Sequence, residues 1–483
     1  MTKYIKGVKN ESVFMFFEAI SKIPRASGNE RGMAEYLVSF AKEKGLDFYS
    51  DEANNVLIVK EATVGRENEA PIMLQAHTDM VAEKNIETKH DFASEPIELI
   101  QKGNILSANG TTLGADDGFG VAIMLAILDS SNISHPRLEC LFTSSEEIGL
   151  VGASKFDYSK IQSRRMINLD SAEENTVIIG CCGGIRTELS LPIKAEKCTV
   201  EGIKIIIGGL CGGHSGEDIN KGRLNSNVLM GLAIKEIADV SPVRISRISG
   251  GDKDNAIPRE CEAVIIPCDK NDLGKCLLLA NQLDLFAKTQ VRAEEDSGVF
   301  IKIENVQVDT AMSLEDTEKI IKVLSIGNGV LKYRQVEPIL PETSRNLAKI
   351  RTEEDTVKIG FSSRSYLESG LEYCTAELDS LAKEIGGSTY HHEGYPGWAS
   401  SKDSKLVTSW QKAYKTVSGN ETEATLIHAG LECGLISANL DGLVAISVGC
   451  NVHDLHTPQE TMEIDSLDRI FDTMVEFLKS KAV

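Results

Sequence analysis

Three short apolar runs in the N-terminal part of the chain each end in a group of acidic or histidine side chains. The runs span 71–76, 138–143 and 166–169, and they are followed by HTD, SSEE and Asp170. Helical stretches separate these β-rich runs, as in a mostly parallel α/β sheet. Because ligand sites in open α/β sheets lie beyond the carboxyl ends of the strands, we expect the three groups to meet in one crevice.

Length and composition predict a folded protein with more than one domain. Its 483 residues exceed the roughly 250 to 300 at which a single core stops growing, so two or more domains are expected. The balance of 51 basic against 72 acidic residues gives a net charge of −21, which opposes binding to nucleic acid or to an anionic membrane. No apolar run approaches the roughly 20 residues of a membrane span, and the N-terminal apolar run predicts an amphipathic first helix.

The succession of β-rich and helical stretches changes after the glycine pair at 183–184. Strands are predicted at 186–194, 201–208, 256–267, 299–306 and 356–362, with helices at 225–240, 272–288, 314–326 and 371–385. The later elements of this series suggest a second βαβ-like half. A helix at 404–418 and a buried strand at 442–448 then resume the first pattern. We therefore predict a discontinuous domain, 1–184 and 396–483, with an inserted α+β domain at 185–395.

His77 and Asp79 form an HxD pattern at the end of the first run. Residues two apart on an extended chain share a side, so Asp79 can accept the second ring N–H of His77 and fix its tautomer. Zinc takes histidine nitrogens and carboxylate oxygens, and a pair of ions needs an oxygen ligand that bridges them. The HxD pattern is typical of a histidine metal ligand that an aspartate orients, and it is equally typical of a hydrogen-bonded structural pair.

The stretch LGADDGFG, residues 113–120, precedes a strongly apolar helix predicted at 121–128. A glycine-rich loop at a helix N-terminus is typical of a phosphate site. The carboxylates of Asp116 and Asp117 would instead repel phosphate and attract a cation. The loop therefore favours a metal role, with a helix cap as the structural alternative for one of the two aspartates.

Three further groups of polar residues follow apolar strands. Adjacent acids such as Glu146 and Glu147 are most often solvated, but after a buried strand one can bind metal while the other acts as general base. Asp170 has a turn as its alternative role. His453 and His456 both follow the last strand, and spacing alone does not choose between them as a ligand.

These signals combine into a resemblance. Taken in order, HTDM, LGADDGFG, SSEEIG, NLD and HTPQE resemble the metal motifs of the clan of co-catalytic zinc aminoacylases, carboxypeptidases and dipeptidases. Within that clan, CCGG, GGHSGEDI, DNAIPRE and IHAGLECG resemble the Xaa-His dipeptidases, also called aminoacyl-histidine or carnosinase-like dipeptidases. The resemblance covers nearly the whole chain. It implies a two-zinc metallopeptidase that hydrolyses dipeptides and has an inserted lid domain.

The resemblance assigns a ligand role to each metal-competent residue. His77 and Asp170 would bind one zinc ion, Glu147 and His456 would bind the other, and Asp116 would bridge the two. Co²⁺ and Mn²⁺ are the alternative metals. The resemblance also implies a non-proline cis peptide bond after Asp116.

The same resemblance implies the remaining site residues. Asp79 would orient His77, and Glu146 would be the catalytic base. Other motifs would supply a donor to the scissile carbonyl oxygen, His214, and the groups that hold the terminal carboxylate of the substrate, Asn255, Arg364 and Gly430.

At three positions the resemblance does not define the substrate pocket. Asp117 stands where asparagine is frequent in similar enzymes, and Cys211 stands where a larger polar residue is usual. His428 is either a residue of the substrate pocket or a structural histidine.

Alternative functions use the same residues. An N-acyl-amino-acid deacylase or a carboxypeptidase-like hydrolase would need the same metals, but the large insertion predicted at 185–395 resembles the dipeptidase branch. A non-catalytic metal- or peptide-binding protein would not need Glu146 beside a full ligand set. The eleven cysteines, odd in number and without a CxxC pair, indicate reduced thiols in the cytoplasm. The resemblance further implies a homodimer.

Overall fold

The computed structural model describes residues 5–335, 339–392 and 394–480. Within these ranges the α-helices, numbered α1 to α11 in chain order, are Glu11–Ile20, Arg31–Lys44, Ala115–Asp129, Val151–Lys155, Ser226–Ala238, Leu273–Gln290, Leu314–Leu324, Glu368–Ile385, Lys405–Ser418, Glu432–Asn439 and Ile464–Lys479. No helix in the described part of the chain is both long enough and apolar enough to cross a bilayer.

The strands are numbered in the same way. From β1 to β12 they are Asp47–Ser50, Val56–Lys60, Ile72–His77, Leu99–Lys102, Ile105–Ala108, Leu138–Thr143, Arg165–Asn168, Thr176–Cys181, Gly183–Pro192, Ala195–Gly208, Gly213–His214 and Val243–Gly250. From β13 to β24 they are Ala256–Ile257, Cys261–Pro267, Phe300–Met312, Gly329–Tyr333, Pro341–Thr352, Thr356–Ser365, Ser388–His391, Trp398–Ala399, Glu423–Ile427, Val444–Ser447, Val452–His453 and Thr461–Glu463.

The chain separates into two compact units. The first unit is built from 1–181, 398–426 and 431–483, and the second from 182–397 and 427–430. Each unit has its own sheet and its own apolar core.

A mixed nine-stranded sheet forms the centre of the first unit. Its main path runs β1-β2-β6-β3-β7-β22-β8-β20, and β21 pairs with β8. The four central strands β6, β3, β7 and β22 are parallel, and the other strands of the main path pair antiparallel. This arrangement confirms the predicted α/β class with a mixed sheet, and parallel pairing is confined to its four central strands.

Apolar helices cover this sheet. Residues 121–128 of α3 are each at most 3% exposed, because α3 packs both on β3 and on α1. Phe14 and Phe17 of the predicted first helix, α1, are completely buried. Burial of each such side chain stabilises the fold by about 1.5 to 3 kcal/mol. The packed helix fixes the position of its own N-terminus, which carries Asp116.

The second unit is an α+β structure on an antiparallel sheet. Its main strand order is β15-β10-β14-β12-β17-β18-β9-β19, with β16 on β17. Ile203, Ile205 and Ile207 alternate along β10 and enter one core with Leu229 and Ile234 of α5, as the two-residue period of a strand requires.

The expected βαβ-like half is wrong for this sheet. All of its described strand pairs are antiparallel, and β12 and β17, which the sequence did not indicate, lie between the predicted strands. The strand predicted at 256–267 is interrupted at 258–260 into β13 and β14. Antiparallel neighbours need no helical crossover, so the helices between these strands do not indicate parallel pairing.

Candidate metal centre

The carboxyl ends of three parallel strands lie side by side in the first unit. His77, the last residue of β3, is level with Thr143 of β6, and Gln75 is level with Asn168 of β7. The groups that follow these strands therefore start at the same edge of the sheet, as the sequence predicts.

Asp116 lies between two histidines. One carboxylate oxygen, Oδ1, is 3.0 Å from His77 Nε2, and the other, Oδ2, is 3.1 Å from His456 Nε2. Asp170 Oδ1 is 3.7 Å from His77 Nε2, and Glu147 Oε1 is 3.0 Å from His456 Nε2. Two sets of possible ligand atoms, each within 4.8 Å, therefore share Asp116, which is the arrangement a bridging carboxylate requires.

The structure distinguishes the two C-terminal histidines. His456 lies in the loop between β23 and β24, with a φ of 61°, and faces Asp116. His453 is instead 3.0 Å from Glu463, to which it can hydrogen-bond. The geometry therefore places His456 in the cluster and His453 outside it.

Asp79 connects His77 to the acidic pair. Its Oδ1 lies 3.5 Å from His77 Nδ1, and its carboxylate accepts the backbone N–H groups of Glu146 and Glu147 at 3.0 and 3.3 Å. Ser27 Oγ donates a further hydrogen bond to it. The completely buried Asp79 thus fixes the turn that carries Glu146 and lies beside the His77 ring.

A network missed by the sequence analysis holds the loop that presents Asp116. The buried carboxylate of Glu460 accepts four consecutive backbone N–H groups, from 113 to 116, at 2.7 to 3.3 Å. Arg25, also 2% exposed, donates to the carbonyl oxygens of Thr78, Asp79 and Gly114. Glu460 is part of the HTPQE motif, whereas Arg25 stands outside every motif and no local pattern indicates it.

The peptide bond between Asp116 and Asp117 is cis, which confirms the expected non-proline cis peptide. Asp117 is completely buried and accepts the backbone N–H groups of His77 and Gly120, both at 3.2 Å. Its carboxylate therefore supports the end of β3 and the start of α3, and it does not face His456 as Asp116 does.

The electrostatics of this cluster suit a cation. Burial, and next the charge of Glu147, raise the pKa of Glu146 well above its usual range. Burial raises the pKa of Asp170 to about 7. Carboxylates crowded into a buried site are stabilised by a positive ion, and this set of imidazole nitrogens and carboxylate oxygens is typical of zinc. The donor set therefore fits the implied metal pair.

The site residues predicted outside this cluster meet in the second unit. His214 ends β11, which pairs with β13, and the backbone oxygen of Asn255 accepts the N–H of Ser215 at 2.8 Å. Arg364 Nη2 lies 3.3 Å from His214 Nε2. The backbone carbonyl of His428, two residues before Gly430, lies against Gly216.

His428 is buried and hydrogen-bonded in this unit. Its Nε2 lies 2.8 Å from Ser344 Oγ, and its ring centre is 5.6 Å from that of Tyr366. Burial, and next the charge of Arg364, lower the pKa of His428 to about 3, so the ring is neutral at pH 7. Cys211 donates its backbone N–H to the buried Asp296 at 2.9 Å, which anchors the segment that leads to β11.

Comparisons with known proteins cover nearly the whole chain. A model of peptidase family M20/M25/M40 matches residues 73–480. The chain is 36% identical over 468 residues to the cytosol non-specific dipeptidase of Escherichia coli, and the match covers 96% of each chain. The crystal structure of an aminoacylhistidine dipeptidase from Vibrio alginolyticus superposes with a TM-score of 0.82 at 34% identity, covering 99% of this chain and 98% of that one. A tripeptidase from Staphylococcus aureus shares the fold, with a TM-score of 0.56, 17% identity and 98% coverage of both chains.

Proposed function

This chain is a metallopeptidase of family M20/M25/M40, and from that premise we propose that it hydrolyses dipeptides, with Xaa-His dipeptides among its substrates. The two dipeptidases that match nearly the whole chain support this substrate class. The observation that carries the proposal is the position of Asp116 between two ligand sets in the first unit.

We assign two zinc ions to these sets. His77 and Asp170 would hold one ion, Glu147 and His456 the other, and Asp116 both. When bound, the pair would supply Lewis-acid activation of water and of the peptide carbonyl. Asp79, whose Oδ1 lies 3.5 Å from His77 Nδ1, would accept the Nδ1–H and so keep Nε2 directed at the ligand set.

Glu146 is the proposed proton carrier. Its carboxylate would take a proton from the attacking water and return it to the departing amine. His214 would donate a hydrogen bond to the carbonyl oxygen as that oxygen gains negative charge. In this proposal Glu146 is the base and His214 is the hydrogen-bond donor, and neither residue binds the proposed metal ions.

Arg364 is the proposed receptor for the terminal carboxylate of the substrate, together with Asn255 and Gly430. A guanidinium binds a carboxylate through two parallel hydrogen bonds, so it fixes the distance between the chain end and the scissile bond. Such a fixed distance favours dipeptides over longer peptides.

Location and assembly are part of the same proposal. The named cytosolic relative supports a cytoplasmic enzyme, and we propose that it acts as a homodimer. A deacylase or carboxypeptidase-like activity with the same metals is the alternative.

A substrate panel tests the proposed function. The purified chain, loaded with zinc, is assayed with dipeptides that include alanyl-histidine, with tripeptides and with N-acyl amino acids. We expect rapid hydrolysis of dipeptides, slow hydrolysis of tripeptides and loss of activity after chelation. Preferential hydrolysis of N-acyl amino acids would favour the deacylase, and zinc binding without hydrolysis of any substrate would indicate a binding protein.

A further inference from the structure

The ring of Tyr395 occupies a slot between two glycines of the second unit. A Cβ at Gly184 would lie 2.5 Å from Cζ of this ring, and a Cβ at Gly430 would lie 2.5 Å from its Cε2. Contacts this short are not compatible with a side chain. Neither glycine has a positive φ, so the reason for glycine at these positions is space for the tyrosine.

The backbone also fixes Tyr395. Its N–H donates to the carbonyl of Gly184 at 3.0 Å, and its own carbonyl accepts the N–H of Gly184 at 3.0 Å. A ring held between two glycines on a paired backbone has little rotational freedom. Its hydroxyl therefore has a defined position.

That hydroxyl holds Arg364. Nη1 of Arg364 donates to Tyr395 Oη at 2.7 Å, while Nη2 faces His214 and Ser215 at 3.3 and 3.4 Å. Arg364 is 6% exposed, and its buried Nε has no hydrogen-bond partner among the described residues. Against the lowering effect of burial, Tyr395, Cys182 and the charge of Glu217 help to raise the pKa of Arg364, but no described carboxylate forms an ion pair with this guanidinium. A buried cation of this kind is suited to an anionic ligand.

We propose that Tyr395 is a specificity-determining positioning residue, which sets the orientation of the Arg364 guanidinium for the substrate carboxylate, and that Gly184 and Gly430 admit its ring. The inference rests on the proposed role of Arg364. A two-point hydrogen bond depends on the plane of the guanidinium, and an arginine side chain has several rotatable bonds. A fixed tyrosine hydroxyl removes part of that freedom before the substrate binds.

The first test is Tyr395→Phe, which removes the hydroxyl and keeps the ring in its slot. For alanyl-histidine, KM should rise about tenfold or more, as expected for loss of a hydrogen bond to a charged group, while kcat changes less than threefold. For alanyl-histidinamide, which lacks the carboxylate, KM should change less than twofold. Tyr373→Phe, an exposed tyrosine of the same unit, is the matched control and should leave both KM values unchanged.

A double-mutant cycle tests the glycine slot. Gly430→Ala should raise KM for alanyl-histidine in the wild-type protein, but much less in a Tyr395→Ala background, where no ring competes for the space. An equal penalty in both backgrounds would show that Gly430 acts without the tyrosine and would overturn this part.

Two outcomes separate the inference from the proposed function. If the wild-type enzyme cleaves dipeptides and Tyr395→Phe, with an unchanged Tm, keeps its KM for alanyl-histidine, the positioning role is wrong. If the wild-type enzyme cleaves no dipeptide, the proposed function fails and the inference fails with it.

Discussion

Individual acidic residues of the proposed metal centre have different roles, although their sequence context is similar. Glu146 and Glu147 are neighbours, yet only Glu147 lies within hydrogen-bonding distance of His456. The sequence shows a pair of acids after an apolar strand and cannot show which one faces a partner near the other end of the chain. The contacts of Asp79 with both backbone N–H groups fix the turn and so separate the two side chains.

Glu146→Gln tests this separation. The amide cannot accept a proton from water, so kcat should fall by a factor of about 10² to 10⁴, while both metals stay bound. Turnover and metal content by mass spectrometry are measured on the same sample. Asp116→Ala is the comparison that should lose metal, and a comparable loss in Glu146→Gln would mean that Glu146 is a ligand.

His428 gives the second unit a defined dependence on pH. Its folded-state pKa of about 3 lies below the ordinary value of 6.5, so the unfolded chain takes up the proton first as pH falls. The stability that the neutral ring provides is complete above pH 6.5 and declines between pH 6.5 and about 3, by about 1.4 kcal/mol per pH unit.

The variant His428→Gln should therefore be less stable than the wild type at pH 7.5, and this difference should shrink by about 2 kcal/mol at pH 5. Denaturant unfolding at the two pH values measures it. Parallel behaviour of both proteins across this range would contradict a buried neutral His428.

At the scale of elements, apolar strands could be predicted and polar buried strands could not. β3, β6 and β7 contain short apolar stretches, although each also includes polar residues, and each lies within one residue of its predicted bounds. The sequence predicts no strand at β17, because this segment contains the polar residues Ser344, Arg345 and Asn346. In the structure all three are at most 1% exposed. Their partners are distant in sequence: Arg345 pairs with Glu377, and Asn346 donates to the carbonyl of residue 256. Long-range pairing of this kind leaves no local pattern.

The loop 113–116 is the element whose stability should depend most on a single distant side chain. Each carboxylate oxygen of Glu460 accepts two of the four N–H groups, so Glu460→Gln leaves two donors without their acceptor. The melting temperature should fall, and the free energy of unfolding should decrease by about 2 to 4 kcal/mol. Zinc affinity should fall as well, because Asp116 belongs to this loop. Calorimetry and a chelator competition measure the two effects.

Glu463→Gln is the matched control for that substitution, since Glu463 is partly exposed and pairs with the exposed His453. It should change stability by less than about 1 kcal/mol. Equal effects of the two variants would show that Glu460 has no special role in the loop.

At the scale of the molecule, the proposed oxyanion donor and the proposed metal ligands belong to different units. His214 lies in the second unit, and every proposed ligand lies in the first. Turnover by the proposed mechanism therefore depends on groups from both units. In the proposed homodimer, His214 of one subunit would serve the metal centre of the other.

Mixing two inactive variants tests that arrangement. His214→Ala should lower kcat strongly and keep its metals, because it removes a donor and no ligand. When it is mixed with Glu146→Gln, activity should return in the heterodimer, whose mass is about twice 52.6 kDa. No recovery, with subunit exchange confirmed by mass spectrometry, would mean that His214 acts within its own chain.

The central sheet of the first unit has an implication for biosynthesis. β22, at 444–447, is the parallel neighbour of β7, and the backbone N–H groups of Lys9 and Asn10 donate to Asp468 in α11. The ribosome makes the N-terminal part of such a sheet long before its inner strand exists, whereas the second unit can complete its sheet earlier. The nascent chain therefore lacks His456 while the earlier strands of this sheet and the sheet of the second unit are already made, and hydrolytic competence would arise only after residue 456 has been added.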